Sequence, residues 1–524
     1  MAALDRAAIE GRGIPSLTLM ERAGREAAKA IADWWRVVGK TKPRVGAPLG
    51  PVLVLCGRGN NGGDGLVVAR HLKAAGYVVR AVVAGEESAL PDDARAVYQA
   101  AAKARVPVTF LSHERAWGQG SEVARAAAEA CLLVDALLGT GSSGAPRGAV
   151  AAAIEVANAS GNPIVSIDVP SGVDASTGHV EPPAIHAALT VTLAIPKLGL
   201  ALEPGRTHAG PVQVVDIGIP ADLVRDARPR FLAADGAWAR SLLPRRPSGA
   251  HKGSVGRVLL VGGSAGMMGA VAMAGASVLR SGAGYCVAIV PESCVDVLEA
   301  RVSEVVKRGA PETARRTLAR SGLEGILTES VRADVVAIGP GLSREPETEA
   351  LVRELVTRVE APIVLDADGL NAFEGMALRR THGPLVVTPH FGEAARLTGA
   401  AVAAVANDPV GWARRFSEDS GAIVCIKCVP MITVAHGEPA IVNGTGNSGM
   451  ATAGAGDVLT GAIAGLLAQG MNPIEGAALG CYVHGLAGDI AASRMGKRGM
   501  IAGDIRDALP PALVALESGA LDGA

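Results

Sequence analysis

Residues 51–76 read PVLVLCGRGNNGGDGLVVARHLKAAG. An apolar run at 51–56 enters a glycine-rich loop, a helix is expected over 66–75, and a second apolar run follows at 78–83. A strand, a glycine turn, a helix and a strand form one βαβ unit, whose two strands lie parallel. Upstream, residues 17–35 carry helical periodicity and are joined to the first strand by a Pro/Gly-rich linker. Downstream, short apolar runs at 131–134, 164–167 and 189–194 each lead into a polar or glycine-rich loop. Continuous apolar strands separated by helices predict a parallel sheet covered on both faces, with ligands beyond the carboxyl ends of its strands.

The pattern stops after residue 220, in an Arg/Pro-containing segment at 225–246, and then restarts. A strand at 257–261, a glycine loop, a helix at 269–280 and a strand at 285–289 repeat the βαβ logic. Further strands are expected at 335–338, 362–365, 385–388 and 422–426, with a final long helix beginning near Asp457. The chain thus reads as two α/β domains, 1–226 and 227–524, each a three-layer α/β/α sandwich.

Composition narrows the function classes. Lys and Arg number 50 and Asp and Glu 51, a net charge of -1 that gives no basic surplus for nucleic acid or anionic membrane. Aromatic residues are 3% against 49% hydrophobic overall, so Ala and Val supply most of the apolar mass. Seven cysteines without regular spacing do not make a disulfide framework, and the lone C-x-x-C at Cys425 and Cys428 ends an apolar strand. It reads as two ordinary thiols. The start lacks a secretory pattern and no run approaches about twenty apolar residues, so a cytoplasmic, soluble protein is expected.

Gly57, Gly59 and Gly62 satisfy G-x-G-x-x-G, which raises a dinucleotide-binding oxidoreductase as one reading. Asp64 counts against it, because a carboxylate near a helix N-terminus would repel the pyrophosphate. Asp64 as a helix cap is a further reading. Two more acids end strands: Asp135 closes CLLVD before ALLGTGSSG, and Asp168 closes IVSID before VPSGVDASTG. Oxygens of Asn61, Asp135 and Ser171 would suit a hard cation. In the second half, GNSGMATAGAGDVLTG (446–461) sets Gly454, Ala455 and Gly456 just before a helix, where their N–H groups line an anion hole. Asp457 beside that hole can take a proton from a hydroxyl undergoing phosphorylation. Gly-x-Gly-Asp also starts helices for purely structural reasons.

Taken together, these strings resemble the NAD(P)H-hydrate repair family over nearly the whole chain. LMERAG, CGRGNNGGDGLVVARHL, VDALLGTG, IDVPSGVDASTG and VTLAIPKLGL are similar to the hydrate epimerase. HKGSVGRVLLVGGS, AIGPGLS, PIVLDADGLNAF, TPHFGEAARL and the GAGD segment are similar to the dehydratase, whose fold is ribokinase-like. The resemblance implies a Rossmann-like epimerase domain followed by a ribokinase-like, ADP-dependent dehydratase domain. Asn60, Asn61, Gly62, Gly63, Asp64, Gly139, Thr140, Gly141, Ser142, Ser143, Gly144, Ala145 and Asp168 would contact the hydrated nucleotide, and Asn61, Asp135 and Ser171 would bind potassium. In the second domain Ala270, Gly341, His390 and Asp457 would contact the hydrate. Lys427, Cys428, Val429, Pro430, Met431 and Gly456 would contact the nucleotide cosubstrate, ADP or ATP with Mg2+. Asp457 and Asp168 are the implied catalytic residues. The substrates would be NADH hydrate and NADPH hydrate, and a homo-oligomer is the family's common state.

The sequence departs from the family pattern where the nucleotide loop usually reads Lys-Gly-x-x-Thr. Here Cys428 replaces the glycine and Met431 the hydroxyl, with Thr433 as a nearby substitute two residues out of register. Ser343 and Ser142 are smaller departures. Two rivals remain: a small-molecule kinase using the same GAGD mechanics, and a nucleotide-binding protein with a degenerate second site.

Overall fold

The computed structural model describes residues 1–41, 51–142, 144–227, 229–380 and 382–520. Most of the linker expected before the first strand, and Ser143, lie outside the described residues. The chain separates into two compact units, Met1–Pro229 and Arg230–Ala524.

The first unit is built on seven parallel strands: β1 (Val52–Cys56), β2 (Val79–Val83), β3 (Val108–Phe110), β4 (Leu132–Ala136), β5 (Ile164–Ile167), β6 (Leu189–Leu193) and β7 (Val212–Val215). Their order is β3-β2-β1-β4-β5-β6-β7, the doubly wound arrangement. Pleating sends Val52, Val54 and Cys56 of β1 into a core shared with helices Ser16–Thr41 and Asn60–Ala74. Leu53 and Leu55 enter a second core with Val123, Ala127 and Ile154 of helices Glu122–Glu129 and Gly148–Ala159. Strand β1 is thereby buried on both faces, which explains why it reads as an unbroken apolar run. The strand order reverses between β1 and β4, opening a crevice beyond their carboxyl ends.

The second unit carries β8 (Phe231–Ala234), β9 (Arg257–Val261), β10 (Tyr285–Pro291), β11 (Val306–Ala310), β12 (Val335–Ile338), β13 (Ile363–Leu365), β14 (Leu385–Val387), β15 (Ile423–Ile426), β16 (Ile432–Val434) and β17 (Ala440–Asn443). The order is β11-β10-β9-β12-β13-β14-β15-β16-β17-β8. Strands β11 to β15 pair in parallel, whereas β16 runs antiparallel to both its neighbours. Strand β8, in the segment where the sequence pattern lapses, pairs with β17 at the sheet's edge. The expected single terminal helix is three: Ala455–Leu467, Pro473–Met495 and Ala502–Glu517. Gly461 and Gly465 let the first of these lie directly on helix Met268–Arg280. A side chain at either would run into the carbonyls of Ala274 and Val278.

Candidate functional sites

In the first unit the crevice at the strand reversal is a cavity of about 980 Å³. Asn60, Asn61, Asp64, Gly139, Thr140, Gly141, Ser142, Gly144, Ala145 and Asp168 all line it. Gly62 and Gly63 do not: a side chain at Gly62 would strike the Gly57 carbonyl, and one at Gly63 would strike Met20. The segment expected as a glycine loop is in fact the opening of helix Asn60–Ala74, capped by Gly59. Asp64 is therefore no cap. It sits one turn inside the helix, buried, and burial followed by the charges of Asp168 and Asp5 pushes its carboxyl well above the usual range. A rise in that direction weakens the repulsion of a phosphate expected from a carboxylate here.

Asp168 follows β5 with φ +68, a left-handed conformation that side chains rarely adopt. Its Oδ1 meets Lys197 Nζ at 2.5 Å, and the same ammonium donates to the Leu193 carbonyl at 2.6 Å. Burial pulls Lys197 below its ordinary value, with Asp168, Asp5 and Asp64 opposing. Sequence reading gave Lys197 no role. Its signal was a lysine inside the otherwise apolar LAIPKLGL, a position where a charge needs a partner. Asp5, from the helical N-terminus, also lines the cavity, beside Met1 and Ile9.

Asp135 lies beneath this crevice and is fully buried. Its oxygens accept from Ser166 Oγ (2.8 Å), Ser171 Oγ (2.6 Å) and the backbone N–H groups of Ser171 (2.9 Å) and Leu137 (3.2 Å). Burial raises its carboxyl, and these four donors oppose the rise. Asn61 donates to the Leu138 and Ile167 carbonyls, leaving its Oδ1 buried with no hydrogen-bond partner. Such an oxygen is costly unless something else satisfies it. No three His, Cys, Asp or Glu side chains are grouped for a metal among the described residues.

In the second unit the carboxyl ends of β9, β12, β13, β14 and β15 gather the remaining candidates. Gly454, with φ +89, caps helix Ala455–Leu467, whose first turn holds Gly456 and Asp457. Burial, then Asp366, lifts the Asp457 carboxyl to about 7, with Lys427 opposing and Asp368 adding to the rise. Lys427, just past β15, reaches Asp366 Oδ1 at 2.5 Å, and Thr460 Oγ1 donates to Asp366 Oδ2 at 2.7 Å. Gly456 is packed against the same pair. His390 caps helix Phe391–Thr398 by accepting from the Gly392 N–H at 2.9 Å, and pairs in β fashion with Lys427. Gly341 turns at φ +66, and a side chain there would strike the Met267 carbonyl and crowd Ala270.

The altered nucleotide loop is bound up with itself. Cys428 Sγ donates to the Pro430 carbonyl at 2.9 Å, and burial pushes this thiol up to about 12. Met431 packs on the apolar core, while Val429 is half exposed. Thr433 does not take over as the loop's hydroxyl: it is buried against Cys425 and Cys481. Cys425 and Cys428 are both free thiols, as the sequence reading expects.

Residues 258–511 match the family described as NAD(P)H-hydrate dehydratase, and residues 16–199 the family described as YjeF-related protein N-terminus. A bifunctional NAD(P)H-hydrate repair enzyme of Moorella thermoacetica is 43% identical over 522 residues, covering 99% of this chain and 96% of that one. The chain belongs to this repair family. A second member, from Thermofilum pendens, is 39% identical and covers 98% of this chain and 95% of its own. Among solved structures, an ADP/ATP-dependent NAD(P)H-hydrate dehydratase of Bacillus subtilis, co-crystallized with ATP and Mg2+, is 26% identical. The match covers 54% of this chain and 97% of that one, with a TM-score of 0.48. The two matched segments fall one in each compact unit. Among the described residues, no helix is long and apolar enough to cross a membrane.

Proposed function

We propose that the chain interconverts the R and S epimers of hydrated NADH and NADPH in its first unit. In its second, it dehydrates the S epimer with ADP or ATP as cosubstrate. The observation that carries the second half is Asp457. It sits in the first turn of a glycine-capped helix with its carboxyl poised at about 7, suited to accept a proton at neutral pH. It takes the proton of the carbon-6 hydroxyl as that oxygen attacks the terminal phosphoryl of the nucleotide. With ADP the leaving group is AMP. N–H groups at the Gly454–Gly456 turn stabilise the charge on the transferring group. The ring nitrogen's electron pair then expels phosphate from carbon 6, and loss of a proton from carbon 5 restores the dihydropyridine. Mg2+ would enter chiefly on the nucleotide's phosphates, where it supplies countercharge.

In the first unit, Asp168 serves as acid/base at carbon 6, and Lys197, in contact with its Oδ1, holds that side chain in place. Potassium suits the unsatisfied Asn61 Oδ1, with Asp135 contributing negative charge and Ser171 a hydroxyl; bound there, it would supply positive charge beside the nucleotide. The family's usual homo-oligomer and a cytoplasmic setting fit a repair enzyme acting on soluble cofactors.

The test is to incubate the protein with both epimers, K+, Mg2+ and either ADP or ATP, following the return of reduced-cofactor absorbance. Complete conversion supports both activities, and omitting K+ should slow only the R fraction. Accumulation of a stable phosphorylated product would instead favour a small-molecule kinase. Nucleotide binding without any turnover would favour a degenerate second site, the reading that Cys428 and Met431 recommend.

A further inference from the structure

Lys427 is the only charged side chain in the loop 427–431, and it does not point out along the loop. It is turned inward onto Asp366, the last residue before the left-handed turn at Ala367 (φ +48). Asp366 is 1% exposed, and its two oxygens are engaged by different elements. Oδ1 holds Lys427, and Oδ2 holds Thr460 on the helix that begins with Gly456 and Asp457. Gly456 lies close against this pair: an added methyl would sit 3.2 Å from Lys427 Nζ and 3.6 Å from Asp366 Oδ2. A carboxylate buried this deeply is costly unless both oxygens are bonded and a cation faces it. Both conditions are met, and meeting them ties three segments together.

We propose that Asp366 is a positioning residue for phosphoryl transfer: it clamps Lys427 to the helix bearing Asp457 and fixes the charge against which Asp457 accepts its proton. The inference rests on the dehydratase reading and goes beyond it, since Asp366 touches neither hydrate nor nucleotide in this scheme. Four charged groups set the field at Asp457 and its lysine. Asp366 and Asp368 come from the β13 turn, Lys427 from the end of β15, and Glu393 from helix Phe391–Thr398. His484, bonded to the Ala455 carbonyl from helix Pro473–Met495, is held neutral by burial, its value lowered to about 4. Burial pulls the Lys427 ammonium down, but Asp366 and Glu393 together hold it above its ordinary value, so it stays charged.

The clamp makes a prediction of opposite signs. Asp366→Asn keeps an oxygen for Thr460 but removes a negative neighbour and leaves the lysine facing Glu393 and Asp457 alone. Asp457 then ionises at lower pH, and the acid limb of kcat/KM moves down by about one unit or more. Lys427→Met removes the positive neighbour, and the limb moves up. Both variants are measured in the full-length protein with the S hydrate, Mg2+ and ADP or ATP, whichever supports the faster wild-type turnover. Titration of the ¹³C-labelled Asp457 carboxyl by NMR runs alongside and needs no turnover. Opposite displacements in both readouts support the clamp. An unmoved limb and unmoved NMR titration in Asp366→Asn, or displacement of both variants in one direction, overturns it. If the wild type shows no dehydration with either nucleotide, the dehydratase reading fails by itself, and the NMR titrations still decide whether the clamp exists.

Discussion

Lys197 and Asp457 show how single buried charges tie stability to chemistry. The Lys197–Asp168 pair is almost wholly out of water, so deleting one member strands the other. Lys197→Met is expected to lower epimerisation at least about 100-fold and to cost about 3–5 kcal/mol of stability. A coupled epimerase assay and denaturant unfolding of the variant check both. Asp457 makes the converse case. Its folded-state value lies above the unfolded 3.8, so the folded protein holds this proton more tightly than the unfolded chain does. Ionising it therefore weakens the fold progressively as pH rises from about 4 to about 7, and the penalty is complete above that. Asp457→Asn removes the penalty. The variant should match the wild type in stability at pH 4 and exceed it by about 4 kcal/mol at pH 8. Its dehydration rate should fall by about 10²–10⁴. Equal stabilities at pH 8 would show that the carboxylate is better solvated than its surroundings indicate.

Glycine governs the helices, and this is also where sequence reading reached furthest and fell short. Strands such as β9 and β12 were legible to the residue because burial leaves a nearly unbroken apolar run, interrupted in β9 only by Arg257 at its start. Helix Asn60–Ala74 was read as starting several residues late, since Asn-Asn-Gly-Gly has poor helix propensity. Contact overrode propensity there, because only glycine fits against the Gly57 carbonyl and Met20. Strand β7 exposes most of its residues, and β8 shows only one buried position, so neither carries a strong pattern. Asp168 and Asp457 stand out in the sequence as candidates because each closes or opens a recognisable loop. Lys197 and Asp366 do not, because what singles them out is a contact about 30 or 60 residues away in sequence. The same close packing gives a test at the Gly461–Ala274 crossing. Gly461→Leu forces the helix bearing Asp457 off helix Met268–Arg280. A loss of about 1–3 kcal/mol is expected by denaturant melt, with a fall in dehydration and an unchanged epimerase rate. If dehydration survived a destabilisation of that size, the crossing would not be what sets the Asp457 turn.

At the scale of the molecule, the fused chain has a kinetic consequence. Its two matched segments belong to separate compact units, each with its own sheet and core. Among the described residues, the first unit's cavity is lined only by residues of that unit, and Asp457, Lys427 and Asp366 all belong to the second. Damage to one site should therefore leave the other's chemistry intact and change only which part of a mixed substrate is consumed. Asp168→Asn keeps the shape of the side chain but removes its charge and the ion pair with Lys197. With pure S hydrate, the variant should turn over at the wild-type rate. With an R and S mixture, absorbance should return quickly to the S fraction and then creep at the uncatalysed epimerisation rate. Adding Asp457→Asn protein, whose epimerase is untouched, should restore complete conversion by releasing S hydrate into solution. If the S-hydrate rate of Asp168→Asn also fell, the two units would be coupled in their catalysis. If the mixed variants failed to complement, the S epimer would be passing between sites without leaving the chain.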